Sequence, residues 1–200
     1  MHEGAAIRVS GAALNPLHGM VWISRIILKL WGWKAEGYEK LHHLPKYVLA
    51  IGPHTSNWDF PLGVLVRSAY GLHKVRFLGK ESLFRFPYGW IFRALGGYPV
   101  VRGKHVKQVD SYVEAFQSHD EFAFVIAPEG TRKKVPRLKT GYYFIAKKAG
   151  VPIVPAIMNY DRKVLEFYDP FFPTDDEQAD LARFEAFFRD RPGKYRELCF

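Results

Sequence analysis

His54 and Asp59 stand five positions apart in the run Gly52-Pro53-His54-Thr55-Ser56-Asn57-Trp58-Asp59-Phe60. On a continuous helix that spacing turns two side chains about 140° away from each other. The pair therefore meets only where a strand ends, turns and enters a helix near Asp59. Gly52, Pro53 and Asn57 are residues suited to such a turn. An aspartate in the first helical turn keeps its negative charge readily, because the helix dipole favours it there. It can accept a hydrogen bond from one ring nitrogen of His54, leaving the other free to take a proton. The result is a general base and its orienter without a nucleophilic serine, suited to activating a substrate hydroxyl and worth about 10²–10⁴ in rate. Taken without its surroundings, the same spacing is equally that of a helix capped by Asp59.

A second cluster follows the apolar run Phe122–Ile126, which reads as a buried strand: Ala127-Pro128-Glu129-Gly130-Thr131-Arg132-Lys133-Lys134. A strand end here delivers a glycine turn carrying a hydroxyl and a permanently charged guanidinium. Arginine grips a phosphate group with two parallel hydrogen bonds. Lys80 and Arg102 also follow predicted strands, and either could add positive charge at the same edge or simply lie solvated on the surface.

Other chemistries lack their residues. There is no G-x-S-x-G, G-x-G-x-x-G or H-E-x-x-H, and Gly79-Lys80-Glu81-Ser82 lacks both the upstream glycine and the Ser or Thr of a phosphate loop. His42 and His43 are adjacent and would point to opposite sides of a strand, so metal ligation is not expected. A lone cysteine, Cys199, excludes an internal disulfide and fits a reducing compartment.

Short apolar runs alternate with helix-length segments, which is the pattern of an α/β fold: one domain with a mostly parallel or mixed central sheet flanked by helices. Strands are predicted at Tyr47–Ile51, Val75–Leu78, Gly97–Val101, Phe122–Ile126 and Val151–Met158. Helices are predicted at Trp58–Tyr70, Tyr88–Leu95, His105–Ser118 and Thr140–Ala149, the last stopped by Gly150. Thr174-Asp175-Asp176-Glu177 has the form of a capping box and predicts a final helix to about Asp190. Nearer the start, Leu17–Trp33 sets Trp22, Ile23, Ile26, Ile27, Leu30 and Trp33 at helical spacing, with Arg25 and Lys29 on another side. This amphipathic helix is shorter than the roughly 20 apolar residues of a membrane span, and it could lie at an interface or pack on the domain. The first sixteen residues show no pattern of a secretory signal.

Twenty-nine Lys and Arg against twenty Asp and Glu leave a net charge of +9, which calls for a polyanionic partner: nucleic acid, a phosphorylated small molecule or an anionic membrane face. Sixteen Phe, eleven Tyr and five Trp suit a membrane–water boundary as well as a core. No nucleic-acid-binding motif accompanies the charge.

Taken in order, these motifs resemble the glycerolipid acyltransferase family, and within it the lysophosphatidate (1-acylglycerol-3-phosphate) acyltransferase group. His54, Ser56 and Asp59 match its N-H-x-S-x-x-D motif, Pro128 to Arg132 its P-E-G-T-R, and Val151-Pro152-Ile153-Val154-Pro155 its fourth motif. Lys80-Glu81, Gly96-Gly97 and Arg102 are similar to the second, and Lys139 and Gly141 match the basic residue and glycine that follow the third. The likeness runs from about Tyr47 to Ile157. Pro53 stands where the family has Asn, Val101 where an acidic residue often precedes the arginine, and Lys133 where Ser is frequent.

The resemblance implies an N-terminal segment, 1–34, ahead of an acyltransferase domain, 35–200. It implies transfer of a fatty acyl group from a coenzyme A or acyl-carrier-protein thioester to a lysophospholipid hydroxyl, with His54 as base and Asp59 as orienter. Lys80, Arg102, Glu129, Gly130, Thr131 and Arg132 would bind the substrate, and neither metal nor other cofactor would be needed. Another lysolipid acceptor, with an amino-acid or sugar head, or a non-catalytic basic lipid-binding domain, are the alternatives. The expected setting is peripheral, on the cytoplasmic side of a membrane, held by Trp22, Trp31, Trp33, Arg25 and Lys29, with no nucleic-acid partner.

Overall fold

Tyr47 and Leu49 point to one face of a sheet and Val48 and Ala50 to the other, and all four are buried. A strand covered on both faces must run through the middle of the fold. The computed structural model, which describes residues 16–100 and 108–200, puts it there. The elements are α1 (Pro16–Trp31), β1 (Lys34–Glu36), α2 (Glu39–His42), β2 (Lys46–Gly52), α3 (Asp59–Ala69), β3 (Val75–Lys80), α4 (Gly89–Ala94) and β4 (Gly97–Val100). Then come α5 (Gln108–Gln117), β5 (Phe122–Ile126), α6 (Gly141–Ala149), β6 (Ile153–Asn159), β7 (Val164–Phe167) and α7 (Glu177–Phe188).

The seven described strands form one mixed sheet in the order β1-β7-β6-β2-β5-β3-β4, parallel throughout except where β7 runs against β6. Two apolar layers cover it. Leu28 of α1 and Leu62, Val66 and Ala69 of α3 pack with Tyr47 and Leu49 on one face. On the other, α5, α6 and α7 bring Phe116, Tyr142, Ile145, Phe184 and Phe188 against Val48, Ala50 and Phe124. Each such large side chain removed from water contributes about 1.5–3 kcal/mol.

The chain leaves β2 for α3 on one face and leaves β5 for α6 on the other. Because β2 and β5 are neighbours, a crevice opens between those two exits at the carboxyl ends of the strands, where open α/β sheets bind ligands. Both sequence clusters of interest emerge there.

Several predicted details are corrected. β1, β7 and α2 were not foreseen, being only three or four residues long. The final helix starts later than the capping box proposed: Asp176 is the cap, accepting from the Ala179 N–H at 3.0 Å, while Thr174 donates its N–H to Asp180. The first helix does pack on the domain, but through Ser24 and Leu28, with its apolar stripe turned outward: Trp22, Ile23, Ile26 and Leu30 are exposed. Trp33 lies beyond that helix and is half-buried. Arg25 donates its Nε–H to the Ala69 carbonyl at 3.0 Å, satisfying the C-terminal end of α3 rather than standing free for a lipid headgroup. Val101 and the first three residues of the helix predicted at His105–Ser118 lie outside the described residues. Among the described residues no helix is long and apolar enough to cross a membrane.

Candidate active site

After Gly52 the chain turns through Pro53–Trp58 and enters α3 at Asp59, which is the strand, turn and helix that the His54–Asp59 spacing requires. The turn closes on itself. The Ser56 N–H donates to Asp59 Oδ2 at 2.9 Å, and Ser56 Oγ accepts from the Trp58 N–H at 3.1 Å. His54 Nδ1 lies 2.9 Å from the same Oδ2. Since a carboxylate only accepts, the shared proton belongs to Nδ1, and Nε2 keeps its lone pair. Asp59 is 3% exposed, whereas the His54 ring keeps 26% of its surface open. The imidazole is reachable and the carboxylate that holds it is nearly sealed.

Glu129 locks the turn from the other strand. In register, β5 pairs Ile126 with Ala50, so the residues just beyond each strand come level. Glu129 Oε1 accepts the His54 backbone N–H at 3.1 Å, and Oε2 is buried with no partner. Desolvation is the main force on this carboxyl and pushes it above the ordinary carboxylate range. A side chain that is 4% exposed and bonded to the His54 turn is shielded from a phosphate and has no cation to offer one. Its geometry is that of a brace for His54 and not of the substrate contact expected from the motif. Gly52 is needed for this approach, since a methyl there would stand 2.9 Å from the Phe188 ring and 3.1 Å from Glu129 Oε1.

Beyond Glu129 the P-E-G-T-R turn faces outward. Gly130 adopts φ +62°, and a methyl on it would lie 2.6 Å from Lys139 Nζ, so the Lys139 side chain arches across the turn. Thr131 Oγ1 accepts from the Lys133 N–H at 3.3 Å, a local turn bond. Arg132 is exposed and makes no side-chain hydrogen bond or ion pair among the described residues. Lys80 ends β3, two strands from β2 and thus about 10 Å along the same sheet edge. Arg102 lies outside the described residues. Of the residues expected to bind substrate, the structure brings Gly130, Thr131 and Arg132 to one turn together with Lys139.

Next to the His54–Asp59 pair opens an apolar pocket of about 200 Å³. One wall is a single face of α3, formed by Phe60, Gly63, Val64 and Arg67, reaching about 12 Å from Asp59 to Arg67 at 1.5 Å per residue. The opposite wall is the sheet, through Leu49, Ile51 and Phe77. Arg67 terminates it, donating Nε–H to the Val75 carbonyl at 2.6 Å and Nη2–H to that of His73 at 2.7 Å. Burial, then the nearby Arg76 charge, pulls its pKa down to about 10. It therefore remains charged at neutral pH.

Sequence reasoning missed Tyr160. Its hydroxyl donates to Asp59 Oδ1 at 2.6 Å across 101 residues of chain, and no local pattern points to it. It also missed Trp58, 52% exposed in the same turn as His54, which meets Trp31 of α1 edge to face at 5.8 Å. Among the described residues, no cluster of three or more His, Cys, Asp or Glu side chains could hold a metal ion.

Comparison with known proteins bears on the family and the fold. Residues 33–159 match the family described as acyltransferase. The chloroplastic 1-acyl-sn-glycerol-3-phosphate acyltransferase BAT2 of Brassica napus is 29% identical over 150 residues, covering 72% of this chain and 42% of that protein. The chain thus spans about two fifths of the length of the curated relative it matches. Among solved structures, the 1-acyl-sn-glycerophosphate acyltransferase PlsC of Thermotoga maritima shares the fold, with a TM-score of 0.56 at 20% identity over 89% of this chain and 81% of that one.

Proposed function

The chain belongs to the acyltransferase family, and from that premise we propose that it moves a fatty acyl group from a coenzyme A or acyl-carrier-protein thioester to the hydroxyl of a lysophospholipid such as 1-acylglycerol-3-phosphate. The observation that carries this reading is a sealed Asp59 holding an accessible His54 at 2.9 Å, at the mouth of an apolar pocket. In the proposed step, His54 Nε2 takes the proton of the acceptor hydroxyl as its oxygen attacks the thioester carbonyl. A C–O bond forms; collapse of the tetrahedral intermediate breaks the C–S bond, and the proton passes from the imidazolium to the departing sulfur. Asp59 stabilises the imidazolium while it lasts. No covalent acyl-enzyme and no metal or other cofactor is required.

The pocket between α3 and the sheet suits an acyl chain, since its walls are apolar for about two turns of helix. Arg132 and Lys139, at the outward turn beside the base, offer the cations a phosphate headgroup needs. Sequence similarity to a 1-acyl-sn-glycerol-3-phosphate acyltransferase supports that acceptor in particular. The intact His54–Asp59 pair speaks against a non-catalytic lipid-binding domain.

We also propose peripheral attachment to the cytoplasmic face of a membrane. Trp22, Ile23, Ile26 and Leu30 form an exposed stripe on α1, and the Trp31–Trp58 contact carries it to the rim of the catalytic turn. Aromatic rings with polar edges and a net charge of +9 favour an anionic lipid surface. The buried, unpaired Cys199 suits a reducing side.

The test is to supply the purified protein with a labelled acyl thioester and a panel of lysolipids, identifying products by mass. We expect a diacylated phospholipid, with turnover falling about 10²–10⁴-fold in His54→Ala while the thermal melt is kept. Near-wild-type turnover in that variant would refute the base assignment.

A further inference from the structure

The register of β6 on β2 pairs Ile157 with Gly52, so the chain leaving β6 comes level with the turn leaving β2. Tyr160, one residue past β6, meets the His54–Asp59 pair there. Its hydroxyl lies 2.6 Å from Asp59 Oδ1, while Oδ2 of the same carboxylate accepts from the Ser56 N–H and faces His54 Nδ1, both at 2.9 Å. Three donors thus share the two oxygens of a carboxylate that is 3% exposed. Tyr160 is itself held on two sides. Its ring packs edge to face on Trp33 at 4.9 Å, and its N–H donates to the Pro192 carbonyl at 3.2 Å. The segment containing Pro192 also touches the turn directly, through the Tyr195 N–H on Thr55 Oγ1 at 3.2 Å.

We propose that Tyr160 is a positioning residue for acyl transfer: its phenol fixes the rotation of the Asp59 carboxylate and takes up part of its charge, so that Asp59 presents Oδ2 to His54 in one orientation. The inference rests on the reading of His54 as the base. Were the hydroxyl absent, Asp59 Oδ1 would be buried without a donor, and the carboxylate would either turn toward one or pull harder on the His54 ring proton. The phenol is kept protonated, and so able to donate, by burial and by the Asp59 charge, which raise its pKa well above the usual phenol range. The ionisable groups around the pair are Tyr160 beyond β6, Glu129 beyond β5, and Tyr195 and Lys194 from the C-terminal segment. Of these Tyr160 is the one whose side chain bonds to Asp59.

Tyr160→Phe removes the oxygen and keeps the ring on Trp33. We expect kcat to fall about tenfold, with the KM of thioester and acceptor each within about twofold of wild type. The acid limb of the kcat profile should move to higher pH, because a carboxylate that has lost a donor holds the imidazolium more tightly. In the protein alone, the NMR resonance of the His54 Nδ1 proton should move as well. Trp33→Phe serves as the packing control and should leave both the acid limb and the resonance in place. An unchanged limb and resonance in Tyr160→Phe, or equal effects from the two variants, would overturn the proposal and leave Tyr160 as a packing residue. The resonance needs no turnover, so it decides the role of Tyr160 even if His54→Ala proves active and the base assignment falls.

Discussion

Glu129 joins a shape to a charge, and a substitution can separate them. Its Oε1 braces the His54 backbone, whereas its buried, unpartnered Oε2 makes ionisation costly. Burial raises this carboxyl above its ordinary value of 4.5, so the folded state holds the proton more tightly than the unfolded chain does. The stability tied to that proton is complete below the unfolded value and is lost as pH rises through the folded one. Glu129→Gln keeps an oxygen for the His54 N–H and carries no charge. Its Tm, taken relative to wild type, should therefore climb as pH rises from about 4.5 through the raised value of the folded carboxyl. Parallel Tm curves across that range would show that the carboxyl pays no penalty for its burial. Cys199 is also buried, and its thiol, pushed up mainly by desolvation, receives the Gly193 N–H at 3.4 Å. It is a packing group at the base of the segment that supports Tyr160.

In the proposed reaction one helix serves both ends. The first turn of α3 supplies Asp59, while the face carrying Phe60, Gly63, Val64 and Arg67 lines the apolar pocket. Gly63 lines the pocket midway along this face. A methyl there would rest 3.9 Å from Met158 Cε, an ordinary contact, so alanine fits and a larger side chain must project into the pocket. Gly63→Phe should consequently shift donor preference toward shorter acyl chains, with the long-chain kcat/KM falling at least tenfold more than the short-chain value. A chain-length series of thioesters measures this, and equal losses at every length would remove the pocket as the acyl site. The first helix divides its labour differently. Ser24 and Leu28 seat α1 beside α3, and this leaves the larger apolar residues outside.

The outward stripe on α1, the exposed Trp58 and the positive charge belong to the molecule as a whole, because under the proposed attachment they would together set which way it faces a bilayer. Burying each large apolar side chain in lipid contributes about 1.5–3 kcal/mol. Replacing Trp22, Ile26 and Leu30 by serine together should therefore lower sedimentation with anionic vesicles at least a hundredfold in partition coefficient. The melt should stay near wild type, since none of the three is buried in the protein. Undiminished sedimentation would move the contact elsewhere, first to Phe86 and Trp90, which are 98% and 69% exposed after β3.

The long buried strands, the helices between them, and the His54–Asp59 and P-E-G-T-R clusters were all legible in the amino-acid order. Each is written in spacings of a few residues: apolar runs bounded by turn residues, a base and an acid straddling a strand end, a glycine beside fixed charge. Short elements such as β1 and β7 were not, because three or four residues carry too little periodicity to separate a strand from a loop. Nor was the placement of Glu129, which P-E-G-T-R offers to a phosphate and the β2–β5 register turns under the His54 backbone. Tyr160 reaches Asp59 only because β6 lies beside β2 in one particular alignment. Contacts like these arise from strand order and register, which are settled by packing across the whole sheet and leave no trace in neighbouring residues.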